Sequence, residues 1–510
     1  MKQLNYKDAF ELAKKYHQKG DIAQAETVYA AVLEIEPHHA GAMHNLGLIY
    51  VAKGMLDDGI AAVKKAVEMD RTNAEFHNNL GELYRKKGRL DEAQFHLGAA
   101  VDLRPGYSEA YSNLGLVFRE KGDINSAKLC FSEALRADPK NLAALINTGN
   151  LFRAEDSPED AIECYIAALE IAPDNATALA GAGLSSYDMG DYNSSAKYYS
   201  RLTTQYPEKY ADKVNLALIT LRNKDFRKGF QLYEARFKYL NVLEGQQDKL
   251  WRGMALTGKT LYVYNEKQGL SGFGDTILFA RYLPELERFN AAKIIFRVQP
   301  QLKELLAANL PSFVEVTSDD CTEFDAHIPL LSLPFVLNAR AKTIPLSGGY
   351  IMPDAEKAAD AAAELSSGKV RIGIAFQTSR KHEKYRERSV NQDAFSSLYK
   401  NDKIALYYIS KEAPEESLDP SVTDLRGKLN DFADTAAFIS ALDLVITADT
   451  SVAHLAGAMG KKTYLLLNHL HDWRWFAAKT GKQSEWYSSV TFYIKDRSAN
   501  WADVIESINL

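Results

Sequence analysis

The chain has 510 residues, 46% of them hydrophobic, which gives room for about three domains and a large core. A formal net charge of -6 leaves no basic footprint for nucleic acid or for an anionic membrane surface. The N-terminal MKQLNYKDAFELAKKYHQKGD lacks an apolar signal core and no stretch approaches about 18 consecutive apolar residues, so neither a secretion signal nor a membrane span is expected.

In chain order, the first 240 residues follow a 34-residue ruler. Pro37, Arg71, Pro105, Pro139, Pro173 and Pro207 fall on it. Counting from Tyr6, Ala40, Ala74, Ser108, Leu142 and Ala176, the eighth residue is small each time: Ala13, Gly47, Gly81, Gly115, Gly149 and Gly183. The twentieth is small too, at Ala25, Gly59, Ala93, Ala127, Ala161 and Ser195, so the two helices of each repeat can approach closely. A larger residue follows four later, at Tyr29, Val63, Leu97, Phe131, Tyr165 and Tyr199, to fill the gap between helix pairs. A 34-residue period ending in proline is the tetratricopeptide signature, and it predicts an α-solenoid over 1–240 built to hold another polypeptide. A degenerate seventh repeat runs from Tyr210 to about Leu240, where Asn215, Gly229 and Tyr233 keep phase, and reads as the cap joining the array to the C-terminal half of the chain. Cys130, Cys164 and Cys321 show no metal-like spacing and read as buried free thiols of a reducing cytoplasm.

One periodic position is not explained by packing. The sixth residue of the repeat is Asn45, Asn79, Asn113, Asn147 and, after Gly181 breaks the row, Asn215. Asparagine is a mediocre helix former, so its recurrence inside helices needs a reason. A carboxamide donates and accepts, and a row of them on the first helix of each pair could clamp the backbone of an extended peptide. Alternatively the amides bond between repeats, or duplication copied a neutral residue. The runs NNLG at 78–81 and SNLG at 112–115 resemble the asparagine ladder in the repeats of O-GlcNAc transferase.

After residue 240 the pattern changes. Segment 241–258 has no repeat phase and reads as a linker pinned by Trp251. Short apolar strands then alternate with amphipathic helices: TLYVY, a helix after Asp275, KIIFRV, a helix around Leu302 to Ala308, and FVEVT. A loose stretch near 350–369 separates these from VRIGIAF, IALYYIS, LDLVITA and TYLLL. Such alternation predicts two parallel sheets in two Rossmann-like domains, 241–360 and 361–510, with ligands at the carboxyl ends of the strands.

Three loops at those ends carry candidate chemistry. In NEKQGLSGFGDT, Gly269, Gly272 and Gly274 free the backbone and Asp275 is expected at the N-cap of the next helix, as a cap or as a base. After VRIGIAF, the segment QTSRKHEKYRERSV offers Arg380, Lys381, Lys384, Arg386 and Arg388 to an anionic leaving group, though a cluster this charged is more often a solvated loop in which about two of the five matter. After LDLVITA, Asp449, Thr450, Ser451 and His454 stand where a strand turns into a small-residue helix, an arrangement suited to a phosphate. Asp449 could instead cap that helix, and His454 could be buried. The run DWRWF, 472–476, could stack on a base or shape the donor pocket, and its aromatics could equally belong to the core.

Together GDTILFARYLP, DFADTAAFISALDLVITADTSVAHLAGAMGK and DWRW resemble the glycosyltransferase family that includes the lipopolysaccharide heptosyltransferases, most of all its tetratricopeptide-fused branch. The resemblance covers 240–510, with "SGF" intervening in the GD turn. It implies a GT-B fold and a metal-independent inverting transfer from a nucleotide-activated sugar, without a separate cofactor. It also implies Asp275 as base, and donor contacts from Gly274, Gln377, Arg388, Ser389, Asp449, Thr450, Ser451 and His454. Asn45, Asn79, Asn113, Asn147 and Asn215 would hold the acceptor. An array beside such a cleft argues for a cytoplasmic protein O-glycosyltransferase acting on Ser or Thr, with flagellin as candidate acceptor and a CMP-nonulosonic acid as candidate donor. The alternatives are a lipopolysaccharide or capsule acceptor with the repeats docking a partner, and a non-catalytic scaffold. The outer faces of such arrays can also pair, giving a homo-oligomer.

Overall fold

The computed structural model describes residues 5–240, 247–266, 272–365, 368–379, 388–476 and 478–508. It divides into two compact units, with the boundary between Tyr206 and Pro207.

The first unit is a tetratricopeptide solenoid of six helix pairs, from Tyr6–Gln18 with Ile22–Ile35 to Ala176–Asp188 with Tyr192–Gln205. Side chains cap most of the helices; Asn73, Asn141 and Asn175, for example, accept backbone N–H groups of their own first turns. The ruler prolines stand just past the second helix of each pair, as Pro37 does after Ile35 and its C-cap Glu36, where a helix cannot continue. The eighth and twenty-fourth repeat positions meet. A Cβ on Gly115 would lie 2.6 Å from the Phe131 ring, so only glycine lets the ring seat there. At the twentieth position Ser195 donates its hydroxyl to Gly183 O at 2.7 Å, tying the paired helices at their closest approach. Of the three cysteines, Cys130 alone is buried; Cys164 and Cys321 are half-exposed, a correction to the expectation of buried thiols.

The second unit holds two parallel sheets. Strands β1 (Thr260–Tyr264), β2 (Lys293–Arg297), β3 (Val314–Thr317) and β4 (Ala326–Pro329) lie in the order β3-β2-β1-β4. Strands β5 (Val370–Ala375), β6 (Ile404–Tyr408), β7 (Val422–Asp424), β8 (Leu444–Ala448), β9 (Thr463–Asn468) and β10 (Val490–Lys495) lie in the order β10-β9-β8-β5-β6-β7. The central strand β8 is buried along its whole length, as its continuous apolar run requires. The order reverses beside β5, so the loops after β5 and β8 open a crevice at the carboxyl edge of the sheet. The stretch near 350–369, expected to be loose, contains a helix, Ala355–Glu364, capped by Asp354. Its AEKAADAAAE sequence has high helix propensity but buries only Ala361, so no apolar stripe announces it.

The seventh helix pair, Tyr210–Arg222 and Phe226–Tyr233, keeps the repeat phase yet packs in the second unit. Phe226 stacks on Trp486 with centroids 5.5 Å apart, and Phe230 meets Trp473 edge-on at 6.1 Å. Arg222, 1% exposed, donates to His471 O at 2.6 Å. Trp251, expected to pin the linker, is buried against Phe289 and donates its indole N–H to Met254 O at 2.8 Å.

Candidate functional site

A cleft of about 490 Å³ lies between the two sheets of the second unit. Its walls follow the carboxyl ends of four strands. Gln377 and Thr378 come after β5, Ser410 and Glu412 after β6, Asp449 to His454 after β8, and Asp472 and Arg474 after β9. Gly272 to Asp275, from the loop after β1, close the opposite side. The sequence readings for Gly274, Asp275, Gln377, Arg388, Asp449, Thr450, Ser451 and His454 therefore converge on one cavity. Ser389 borders the adjoining 410 Å³ pocket that shares Gln377, and its hydroxyl accepts the Thr378 N–H at 3.2 Å. Gly269 and the cations Arg380, Lys381, Lys384 and Arg386 lie outside the described residues.

Asp275 is not the N-cap. Gly272 caps the helix Phe273–Ala280, and Asp275, three residues on, reaches back to accept the Gly272 N–H at 3.0 Å. The reason is geometric: the third helical position aims a short carboxylate at the exposed N-cap amide. Its other oxygen pairs with the Arg474 guanidinium, and the two side chains are 12% and 15% exposed. Gly274 has a packing role at the same place. A Cβ there would stand 2.6 Å from His454 Cδ2, so glycine lets the helix Phe273–Ala280 approach the helix Ser451–Ala458.

The opposite wall is held by a chain of buried contacts. Thr450, not Asp449, caps the helix Ser451–Ala458, its hydroxyl accepting the Val452 N–H at 3.2 Å. Asp449 accepts the indole N–H of Trp475 at 2.9 Å and pairs with Arg388 at 2.8 Å. Arg388 also donates to Asp449 O at 2.8 Å. His454 lies flat on Trp475, with centroids 4.8 Å apart, and bonds Tyr487 Oη at 3.2 Å through Nδ1. Burial, reinforced by Arg474 and Arg388, pushes its pKa well below the usual imidazole value, so His454 is neutral at pH 7.

Within the DWRWF run, read as able to shape the pocket, the sequence did not single out Arg474, nor did it single out the lining residues Asp472, Thr378, Ser410 and Glu412. Arg474 alternates with the buried aromatics of DWRWF: Trp473, Trp475 and Phe476 go to the core, while Asp472 and Arg474 line the cleft. Arg474 Nη1 donates to Asp472 at 2.8 Å. Burial opposes its charge, but Asp275 and Asp472 outweigh that and raise its pKa. For Asp472, burial would raise the carboxyl, yet Arg474 and Arg388 hold it below the usual carboxylate range. The alternation of charged and aromatic residues was the available signal.

In the array, the asparagine row is half-buried and partly occupied by bonds between repeats. His44 Nδ1 bonds Asn45 Oδ1 at 3.2 Å, and Asn79 Nδ2 reaches His44 Nε2 at 2.9 Å. Asn78 donates to Asn79 Oδ1 at 3.2 Å, and Asn113 to Asn78 Oδ1 at 3.0 Å. One continuous chain thus runs from Asn45 to Asn113. Burial lowers the pKa of His44, in keeping with the neutral ring that this chain needs. Asn147 accepts only a long 3.4 Å contact from Arg119, and Asn215 sits half-buried in the second unit.

Among the described residues no helix is long and apolar enough to cross a membrane. Nor does any group of three or more His, Cys, Asp or Glu among them have metal-holding geometry.

Comparison with known proteins matches four tetratricopeptide repeat family models to residues 16–83, 72–140, 112–176 and 178–209. Repeats of this class typically bind protein partners. Protein FlbA of Caulobacter vibrioides is 22% identical over 313 residues, covering 54% of this chain and 50% of that protein. The chain therefore spans about half the length of this relative. Among solved structures, Pseudomonas aeruginosa pilF is 25% identical over 40% of this chain and 92% of its own, with a TM-score of 0.37. MamA is 27% identical over 32% of this chain and 94% of its own, with a TM-score of 0.29.

Proposed function

We propose that the chain is a GT-B glycosyltransferase that moves a sugar from a nucleotide-activated donor to a Ser or Thr hydroxyl of a protein bound by the repeats. The observation that carries the reading is the meeting, in one cleft at the strand ends of two parallel sheets, of a carboxylate, Asp275, with a capped helix N-terminus and two arginines. The positive dipole end of the helix Ser451–Ala458 and the guanidinium groups suit a leaving phosphate. Asp275 takes the proton as the acceptor O–H bond breaks and the acceptor oxygen bonds the anomeric carbon. The bond from that carbon to the phosphate oxygen breaks, and its electron pair leaves with the phosphate. The transfer is metal-independent and inverts the anomeric centre. The acceptor side rests on the repeats, since arrays of this kind bind polypeptides; flagellin and a nonulosonic acid donor are the particular candidates.

The test is turnover of nucleotide sugars by wild type and Asp275→Asn. The asparagine can still accept the Gly272 N–H, so the helix keeps its cap, and turnover falls by a factor on the order of 10² to 10⁴, as expected for loss of a general base. Near-normal transfer by the variant would return Asp275 to a capping role.

A further inference from the structure

Among the described residues that line the cleft, carboxylates outnumber cations. Its described charged side chains are Asp275, Glu412, Asp449 and Asp472 against Arg388 and Arg474. Both arginines are already engaged by carboxylates, Arg388 by Asp449 and Arg474 by Asp275 and Asp472. The buried neutral His454 adds no charge. Among the described residues the cations that line this cleft are both paired, so a leaving phosphate that takes up either of them does so by an exchange of partners.

The two arginines differ in how they are held. Arg388 is fixed to Asp449 through both the carboxylate and the backbone carbonyl, and Asp449 is itself locked by Trp475. Arg474 bridges two elements: Asp472 is its own neighbour in the turn after β9, whereas Asp275 belongs to the helix that comes after β1 on the other wall. The contact to Asp275 can be given up without unfolding the turn that carries Arg474. It is also the contact that occupies the oxygen of Asp275 not used in capping Gly272.

We propose that Arg474 is an exchange residue: it pairs with Asp275 in the unliganded cleft and passes to the donor's leaving phosphate on binding, which frees the Asp275 oxygen for the acceptor hydroxyl. The inference rests on the glycosyltransferase reading and deepens it, because it makes donor binding the event that uncovers the base. Donor then acceptor is the productive order. An acceptor that arrives first meets a carboxylate held by a guanidinium. Phosphate and Asp275 compete for one cation, so removing the carboxylate charge strengthens phosphate binding while it lowers turnover.

The experiment measures binding of nucleoside diphosphates and CMP to the full chain by calorimetry, for wild type, Asp275→Asn, Arg474→Ala and the double variant. Circular dichroism melts verify that each is folded. The expected result is that Asp275→Asn binds the nucleotide tighter by roughly tenfold, the worth of one hydrogen bond to a charged group. The same substitution in the Arg474→Ala background changes affinity by less than about twofold. Unchanged or weaker binding by Asp275→Asn overturns the exchange, as does an equal tightening with and without Arg474. Should Arg474→Ala fail to fold, Arg474→Lys replaces it: a point charge without the fork pairs less well with both carboxylate and phosphate, so the gain from Asp275→Asn must shrink. Failure of wild type to bind any nucleotide in the panel contradicts the glycosyltransferase reading itself and is thereby distinct from failure of the exchange.

Discussion

Gly274→Ala puts one methyl group between the two walls of the cleft. The new Cβ lies 2.6 Å from His454 Cδ2, about 0.8 Å inside ordinary van der Waals contact. The imidazole has no easy retreat. It lies on Trp475 at 4.8 Å, bonds Tyr487 at 3.2 Å, and is only 4% exposed. Relief has to come from a shift of the helix Phe273–Ala280 against the helix Ser451–Ala458, and overpacking of this kind costs about 1–3 kcal/mol. Alanine returns up to about 1 kcal/mol of helix propensity, which leaves a net loss of roughly 1 kcal/mol and a fall of a few degrees in the melting temperature of the second unit. The same shift moves Asp275, one residue on, so turnover falls more than stability. Melting curves and nucleotide-sugar turnover of the full chain are the assay, with Gly274→Ala/His454→Ala as its control. The smaller side chain makes room for the methyl group, so the alanine at 274 costs less stability in that background. A Gly274→Ala chain that melts above wild type and turns over normally would refute the close approach.

Asn113→Ala removes the donor to the buried Asn78 carbonyl and lowers array stability by about 0.5–1.5 kcal/mol, read by urea unfolding; unchanged stability would leave the Asn113–Asn78 bond without a stabilising role. Acidification destabilises the chain through its neutral buried imidazoles, because His44 and His454 titrate lower when folded than unfolded. Their stability contribution is complete above the unfolded value, about 6.5, and is lost as pH falls toward their depressed folded values. The slope is up to about 1.4 kcal/mol per pH unit for each group, measured as urea midpoints between pH 7 and 5. Flattening of that slope by His44→Gln and by His454→Gln is expected; an identical slope in both variants would contradict the assignment.

Legibility tracked the strength of local periodicity. The array could be read because its packing pairs recur every 34 residues, and the contact of Gly115 with Phe131 is one such pair. The buried strands could be read because continuous apolar runs such as LVITA and TYLLL have few other uses. Short strands gave little signal: β4 is AHIP and β7 is VTD. VTFYIK of β10 did carry a strand pattern and was passed over. In the site, Asp275 was found as a candidate but placed at the cap, three residues past the Gly272 that caps the helix, because the glycine-rich run before it does not mark where the helix starts. Arg474 was not singled out within its run since its partners are 199 and 2 residues away and only folding brings Asp275 to it. The asparagines were visible as a row, but the bonds through His44 and Asn78 depend on how successive repeats stack.

The central claim is that this cleft transfers sugar to protein. Intact-mass spectrometry of a candidate acceptor incubated with the full chain and a panel of nucleotide sugars, CMP-linked and diphosphate-linked, tests it most directly. The predicted result is a mass increase of one or more glycosyl residues on the acceptor, mapped to Ser or Thr, present with wild type and lost with Asp275→Asn. An unmodified acceptor together with sugar transferred to a lipopolysaccharide or capsule glycan would contradict it.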